Sequence, residues 1–277
     1  MTLFLVATPI GNLSDMSYRA VDTLKSVDYI LCEDTRHSLT LLQHYAISKP
    51  LKSYHKFSES SQQESLLSDL QAGKKIALIS DAGTPGISDP GQRLVQACRE
   101  SGLEVIAIPG ACAAITALSC SGLETDRFQF LGFLPKKSGE LRHVLKEALM
   151  YSGSTVCYES PNRLKDVLKE LVELAPERKL VVGRELTKKF EEVRSGTASE
   201  LLAYWETHTL KGEIVVMISG NKISLDDSWK TLSPEEHVKM MQDTYHLTKN
   251  EAIKMVAQIR GVPKREVYRD AHSLDSE

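Results

Sequence analysis

The sequence predicts an α/β protein built on a parallel sheet, and three observations carry that prediction. Short β-branched runs alternate with amphipathic stretches over the first 120 residues, the pattern of strands joined by crossover helices. Three of those runs pass directly into glycine- and proline-rich loops. From Phe128 a second series of apolar runs follows, and past residue 220 the pattern turns helical. The expected organisation is an N-terminal α/β domain over 1–118, a second α/β domain over 119–220, and a linker with a C-terminal helical module over 221–277.

Each element has its own signal. Leu3 to Ala7, Tyr29 to Cys32, Ile76 to Ser80 and Val105 to Ile108 are continuous apolar runs of strand length. Helical spacing places helices at Tyr18 to Ser26, Ser38 to Tyr45, Glu64 to Gln71, Gln92 to Ser101 and Ala113 to Cys120, with Ser61-x-x-Glu64 as a capping box. In the second half the strands are Phe128 to Leu134, Thr155 to Tyr158, Leu180 to Gly183 and Ile214 to Ile218. Ser160-Pro161 opens a helix by the cap-then-proline rule, and Thr197-x-x-Glu200 opens another as a capping box. The polar stretch Asn221 to Lys230 leads to Ser233-Pro234-Glu235-Glu236, another cap, and then to Thr248-x-x-Glu251. The pattern from Thr248 to Ala271 has a helix-turn-helix character.

Composition narrows the chemistry. A 42% hydrophobic and 26% charged content is that of an ordinary globular protein, and no apolar run is long enough to cross a bilayer. Met1-Thr2-Leu3 runs straight into a strand pattern without a basic n-region, so a cytoplasmic protein is expected. The five cysteines lack a C-x-x-C pair and are expected as buried, reduced thiols; the histidines lack zinc-like spacing, so no metal is expected. The net charge of −3 leaves room for a local basic face that holds phosphates. There is no G-x-G-x-x-G after a strand, no Walker A sequence and no G-x-S-x-G, which sets aside dinucleotide, phosphate-loop and serine hydrolase chemistry.

The loops carry the main signal. Thr8-Pro9-Ile10-Gly11-Asn12, Asp81-Ala82-Gly83-Thr84-Pro85-Gly86 and Pro109-Gly110-Ala111 each follow a strand. Ligands of parallel sheets bind outside the carboxyl ends of the strands, so these loops are expected to converge on one site. Glycine admits close approach of backbone to a flat ligand and proline stiffens the turn. Taken singly, each loop reads equally as a tight strand-to-helix turn. The second strand ends in Cys32-Glu33-Asp34-Thr35-Arg36-His37, a dense charged cluster at the same sheet edge, where Asp34 or Thr35 alternatively caps the next helix. Tyr158-Glu159-Ser160-Pro161-Asn162-Arg163 and Arg184-Glu185-Leu186-Thr187-Lys188-Lys189 follow later strands, and capping with surface ion pairs is the competing account of both.

Four segments carry a family resemblance: Thr8-Pro9-Ile10-Gly11-Asn12; Glu33-Asp34-Thr35-Arg36; Ser80-Asp81-Ala82-Gly83-Thr84-Pro85 with Asp89-Pro90-Gly91; and Ala113-Ala114-Ile115-Thr116-Ala117-Leu118. Together with Tyr158-Glu159-Ser160, Arg184-Glu185-Leu186-Thr187-Lys188 and Lys211-Gly212-Glu213, they resemble the bacterial small-subunit ribosomal RNA 2'-O-ribose cytidine methyltransferases of the tetrapyrrole methylase superfamily. The resemblance runs over essentially the whole chain. Two positions depart from it: Ala111 stands where a proline is expected after Pro109-Gly110, and Pro161-Asn162 precedes Arg163.

The resemblance implies two α/β domains of the tetrapyrrole methylase type with the cofactor cleft between them, plus a small C-terminal helical module. It implies S-adenosyl-L-methionine as cofactor, held by Pro9, Gly11, Asn12, Asp81, Ala82, Gly83, Thr84, Pro85, Pro109, Gly110 and Ala111. Catalytic candidates are Glu33, Asp34, Arg36, His37 and Glu159, with Asp81 a further candidate base. Arg36, Arg163, Arg184 and Lys188 are the candidates for contacts to substrate RNA, because guanidinium groups grip phosphate and stack on bases. The implied partners are small-subunit (16S) ribosomal RNA, naked or in the assembled small ribosomal subunit, and a second copy in a homodimer. Basic residues at Lys136, Lys137, Arg142, His143 and Lys146, and others in the tail, are further candidate phosphate faces. Two other readings stay open: a methyltransferase acting on a small tetrapyrrole, and a ligand-sensing regulator whose helical tail binds nucleic acid. The first loop lacks the glycine-rich form of corrin and porphyrin methylases, which favours RNA.

Overall fold

The structure is a computed structural model and describes residues 1–56, 58–220, 227–245 and 247–270. Five parallel strands form the first sheet: β1 (Thr2–Val6), β2 (Tyr29–Cys32), β3 (Leu51–Ser53), β4 (Lys75–Leu78) and β5 (Glu104–Ile108), in the order β3-β2-β4-β1-β5. Between them lie α1 (Tyr18–Ser26), α2 (Thr35–His44), α3 (Glu59–Gln71) and α4 (Gln92–Glu100), and α5 (Ala113–Cys120) follows. Helices cover both faces, which is why the strands are apolar on both sides. Leu3, Leu31, Ile76 and Leu78 pack with Leu66, Leu70 and Leu94 of α3 and α4. Their alternates Val6, Ile30, Ala77 and Ile79 pack with Ala20, Leu24 and Leu42 of α1 and α2.

The connections from β1 and β4 diverge. The chain leaves β1 for β2 on one side of β4, and leaves β4 for β5 on the other side of β1. Adjacent strands with oppositely directed connections open a crevice at their carboxyl ends, the usual ligand position of such sheets.

The second sheet contains β6 (Phe128–Phe133), β7 (Ser154–Glu159), β8 (Lys179–Arg184), β9 (Glu192–Thr197) and β10 (Ile214–Ile218), in the order β6-β7-β10-β8-β9. With it go α6 (Ser138–Met150), α7 (Pro161–Leu174) and α8 (Ala198–Thr207). Leu164, Val167, Leu168, Leu171 and Leu174 of α7 are buried, one stripe at helical spacing. The C-terminal helices α9 (Pro234–Tyr245), α10 (Lys249–Arg260) and α11 (Lys264–Asp270) share a core of Val238, Met241, Ile253, Val256 and Val267. Three of the predicted caps are in place: Thr197 with Glu200, Ser233 with Glu236, and Thr248 with Glu251 each exchange side-chain and backbone hydrogen bonds. Residues 221–226 of the polar stretch and Ala271 of the helix-turn-helix pattern lie outside the described residues.

Internal contacts divide the chain into two units, Met1–Cys120 with Gly183–Val193 and Glu213–Val215, and Ser121–Val182 with Arg194–Gly212 and Val216–Glu277. Among the described residues, no helix is long and apolar enough to cross a membrane. Cys32, Cys98 and Cys157 are buried thiols, whereas Cys112 is half-buried and Cys120 is exposed, a correction to the expectation for all five.

Two helix starts also need correcting. Helix α2 begins at Thr35, not Ser38, because Asp34 accepts the Arg36 N–H (2.8 Å) and caps it. Helix α3 begins at Glu59, so Ser61 lies inside it and its hydroxyl donates to the Ser58 carbonyl instead of opening the helix.

Candidate active site

The three glycine- and proline-rich loops of the first unit meet. Beyond β1 and β4, Thr8 and Gly83 pair backbone to backbone, with N–H to carbonyl distances of 2.9 and 3.1 Å. The Thr8 hydroxyl donates to the Ser80 carbonyl (3.1 Å), and the Thr84 hydroxyl donates to the Ala111 carbonyl of the β5 loop (3.1 Å). Gly83 has φ +82°, a left-handed conformation that side chains disfavour. Pro9, Gly11 and Asn12, Asp81 to Pro85, and Pro109 to Ala111 therefore form one backbone-lined floor at the crevice.

That floor has a clamp which the sequence did not reveal. The Asn12 N–H donates to Thr187 Oγ1 (3.1 Å) in the turn between β8 and β9. A Cβ on Gly11 would stand 2.4 Å from Lys188 Cγ and 2.8 Å from Thr187 Oγ1, so only glycine fits beneath this turn. The turn is rigid. Glu185 and Thr187 hold positive φ angles of 51° and 66°, Leu186 is buried, and Lys188 bridges Glu185 (2.9 Å) and Glu213 (3.0 Å). Arg184 pairs with Glu192 at 3.2 Å. Arg184 and Lys188, both candidates for RNA contact, are thus engaged in holding the turn.

Beside the floor, Glu33, Asp34, Thr35, Arg36, Ser53, His55, Lys56 and Asp81 line an open pocket of about 630 Å³. The loops after β2, β3 and β4 build it. The Asp34 N–H donates to Asp81 Oδ1 (3.2 Å), and His37 Nε2 lies 3.1 Å from the Asp81 carbonyl oxygen, so Asp81 ties the β2 cluster to the β4 loop. Arg36, its side chain 90% exposed, pairs with Asp34 through Nη2 at 3.1 Å. Hydrogen bonds from Arg36 hold the Asp34 carboxyl below the usual carboxylate range. Glu33 moves the other way, pushed up by partial desolvation in the pocket and then by the charge of Asp81. Asp89 is pushed up to about 6 by burial, with Glu33 and Asp81 adding to it. Buried Glu59 anchors the Asp89-Pro90-Gly91 turn by accepting the Gly91 N–H at 2.9 Å. Ser53, His55, Lys56 and Asp89 were not among the sequence candidates. Asp89 was visible only as part of a motif, and the other three lie at or just after the end of a strand too short to read.

In the second unit, Glu159 and Arg163 meet. The Glu159 side chain is 1% exposed, its Oε1 accepts the Ser160 N–H (2.7 Å), and Oε2 lies 3.2 Å from Arg163 Nη1. Arg163 also donates to the Leu134 and Pro135 carbonyls, so it fastens the end of β6 to α7. Of the basic residues on α6, Arg142 pairs with Glu170 and Glu173, and Lys146, 11% exposed, pairs with Glu251 of α10.

Residues 2–202 match the sequence profile of the tetrapyrrole (corrin/porphyrin) methylases. The chain is 45% identical over 98% of its length to "Ribosomal RNA small subunit methyltransferase I" of Halalkalibacterium halodurans, covering 94% of that protein. It is 44% identical to the protein of that name from Synechocystis sp., with 99% of each chain covered. Among solved structures, uroporphyrin-III-C-methyltransferase from Thermus thermophilus superposes with a TM-score of 0.56 at 18% identity, over 79% of this chain and 94% of that one. Diphthine synthase does so with a TM-score of 0.60 at 12% identity, over 80% and 90%. The chain belongs to the tetrapyrrole methylase family and, within it, to the proteins named ribosomal RNA small subunit methyltransferase I.

Proposed function

We propose that this chain methylates the 2'-hydroxyl of a cytidine ribose in 16S ribosomal RNA, with S-adenosyl-L-methionine as methyl donor, acting in the cytoplasm as a homodimer. The observation that carries this reading is the junction of a backbone-lined floor with an open pocket of carboxylates and cations, in a chain of this family. The floor suits the cofactor: its donors and acceptors are mostly backbone groups, and Gly83 keeps a side chain out of its centre. Pro9, Gly11, Asn12, Asp81 to Pro85 and Pro109 to Ala111 would hold the cofactor, which supplies a methyl group on a positively charged sulfur when bound.

The chain's own residues then have three tasks. The linked loops fix the geometry of transfer, since well-placed reactants avoid about 7 to 11 kcal/mol of barrier in favourable cases. Glu33 takes the hydroxyl proton. It is exposed to the pocket, and its proton affinity is raised, the direction that favours a general base, whereas the Asp34 carboxyl is depressed and occupied by Arg36. Exposed Arg36 grips a phosphate of the substrate strand, exchanging Asp34 for it.

The test supplies labelled S-adenosylmethionine together with small-subunit RNA, assembled subunits and a tetrapyrrole pool. Label is expected in the RNA. Label in the tetrapyrrole alone, or cofactor binding without turnover on any substrate, would overturn the proposal.

A further inference from the structure

The geometry points to Phe190, at the tip of the turn between β8 and β9, as a platform on which an unpaired base of the RNA substrate stacks. This rests on the reading of the chain as a ribosomal RNA methyltransferase and adds a contact that reading does not contain. Phe190 is 65% exposed, more than any other aromatic residue described except Tyr18. Its neighbour Lys189 is exposed and places Nζ 5.6 Å from the ring centroid.

The turn that carries Phe190 is anchored at several points. The backbone beneath it carries the two positive φ angles, Leu186 anchors it in the core, and Thr187 binds the Asn12 N–H of the β1 loop. The charges are sorted too. Glu185 and Glu213 are engaged by Lys188, Glu192 by Arg184, and Glu191 accepts the Thr187 N–H, so the acids of the turn face its own donors. Lys189 is exposed and holds its ammonium over one face of the ring. An aromatic ring next to a lysine, with the neighbouring acids engaged by donors of the turn itself, matches a base flanked by its phosphate. An apolar protein partner would not need the cation.

The full-length protein is tested as wild type, Phe190→Leu, Phe190→Tyr and Phe190→Trp. Leucine keeps an apolar side chain without the π face. Its KM for small-subunit RNA should rise ~5- to 150-fold, the range of one lost base stack, with cofactor affinity by calorimetry unchanged. Tyrosine should restore the wild-type KM. In Phe190→Trp, a short single-stranded RNA should quench the added indole emission. An unchanged KM in Phe190→Leu, or no quenching, overturns the proposal. So does a change in oligomeric state of Phe190→Leu by sedimentation, which would give this face to a second copy. If the wild type methylates no RNA the functional reading fails instead, and the quenching arm still decides whether Phe190 meets RNA.

Discussion

Replacing Gly11 with alanine probes the clamp between the β1 loop and the β8–β9 turn. Gly11 has no positive φ, so alanine suits its backbone and alone would stabilise the fold by about 0.4 to 1 kcal/mol through the unfolded chain. Sterics oppose this. The new Cβ would lie 2.4 Å from Lys188 Cγ, 2.8 Å from Thr187 Oγ1 and 3.1 Å from the Leu186 carbonyl oxygen, and neither the buried Leu186 nor the paired Lys188 yields freely. Overpacking of this kind costs about 1 to 3 kcal/mol, and separating Asn12 from Thr187 adds about 0.5 to 1.5 kcal/mol. A net loss of about 2 to 3 kcal/mol is expected, or a Tm lower by about 4 to 12 °C. Calorimetric melting of Gly11→Ala is compared with Gly139→Ala, where nothing lies within 4 Å of an added Cβ and helix α6 should gain slightly. Combining Gly11→Ala with Lys188→Ala, which removes the obstructing Cγ, should recover part of the loss. A Gly11→Ala Tm at or above wild type, or strict additivity in the double variant, would refute the steric reasoning.

Glu33→Gln should lower kcat by roughly 10²-fold or more and leave cofactor affinity intact, as single-turnover methylation and calorimetry will show; an unchanged kcat removes Glu33 as the base. Arg36→Ala should reduce kcat/KM for RNA about 10- to 100-fold without altering cofactor binding, the worth of one hydrogen-bonded charge contact, and normal turnover excludes that contact. Asp89 is raised from 3.8 to about 6, so between those pH values the folded protein holds a proton the unfolded chain has released. Its stability contribution is present below about pH 4 and is lost as pH rises through 6. Asp89→Asn should therefore stabilise the protein at pH 8 by about 1 to 2 kcal/mol, discounted for solvent contact, and not at pH 4; a lower Tm at pH 8 would contradict the carboxylate crowding.

The strands that position the site were legible because they are apolar on both faces. Tyr29 to Cys32 is a continuous hydrophobic run, fully buried in the sheet. Strand β3 was not, since its three residues Leu51–Ser53 form a half-exposed edge with no periodicity to detect. Strand β9 reads Glu-Val-Arg-Ser-Gly-Thr and alternates exposure at the other sheet's edge, which conceals it among polar loops. Local capping was readable at Thr197 and Thr248 but misplaced at α3, where Ser58 caps without a side-chain bond. The loops of the floor were visible as glycine and proline punctuation. The clamp was not, because Asn12 and Thr187 are 175 residues apart in sequence. The exposure of Phe190 is likewise a product of tertiary packing, and nothing in Lys-Lys-Phe-Glu announces it.

Ribose methylation of small-subunit RNA leaves a nucleoside that can be identified directly. The purified protein is incubated with S-adenosylmethionine and small-subunit RNA from cells lacking it, the RNA is digested to nucleosides, and the methylated product is identified by mass spectrometry. The expected product is 2'-O-methylcytidine from a single site. Methyl groups on a base, on another nucleoside, or on no RNA component would contradict it.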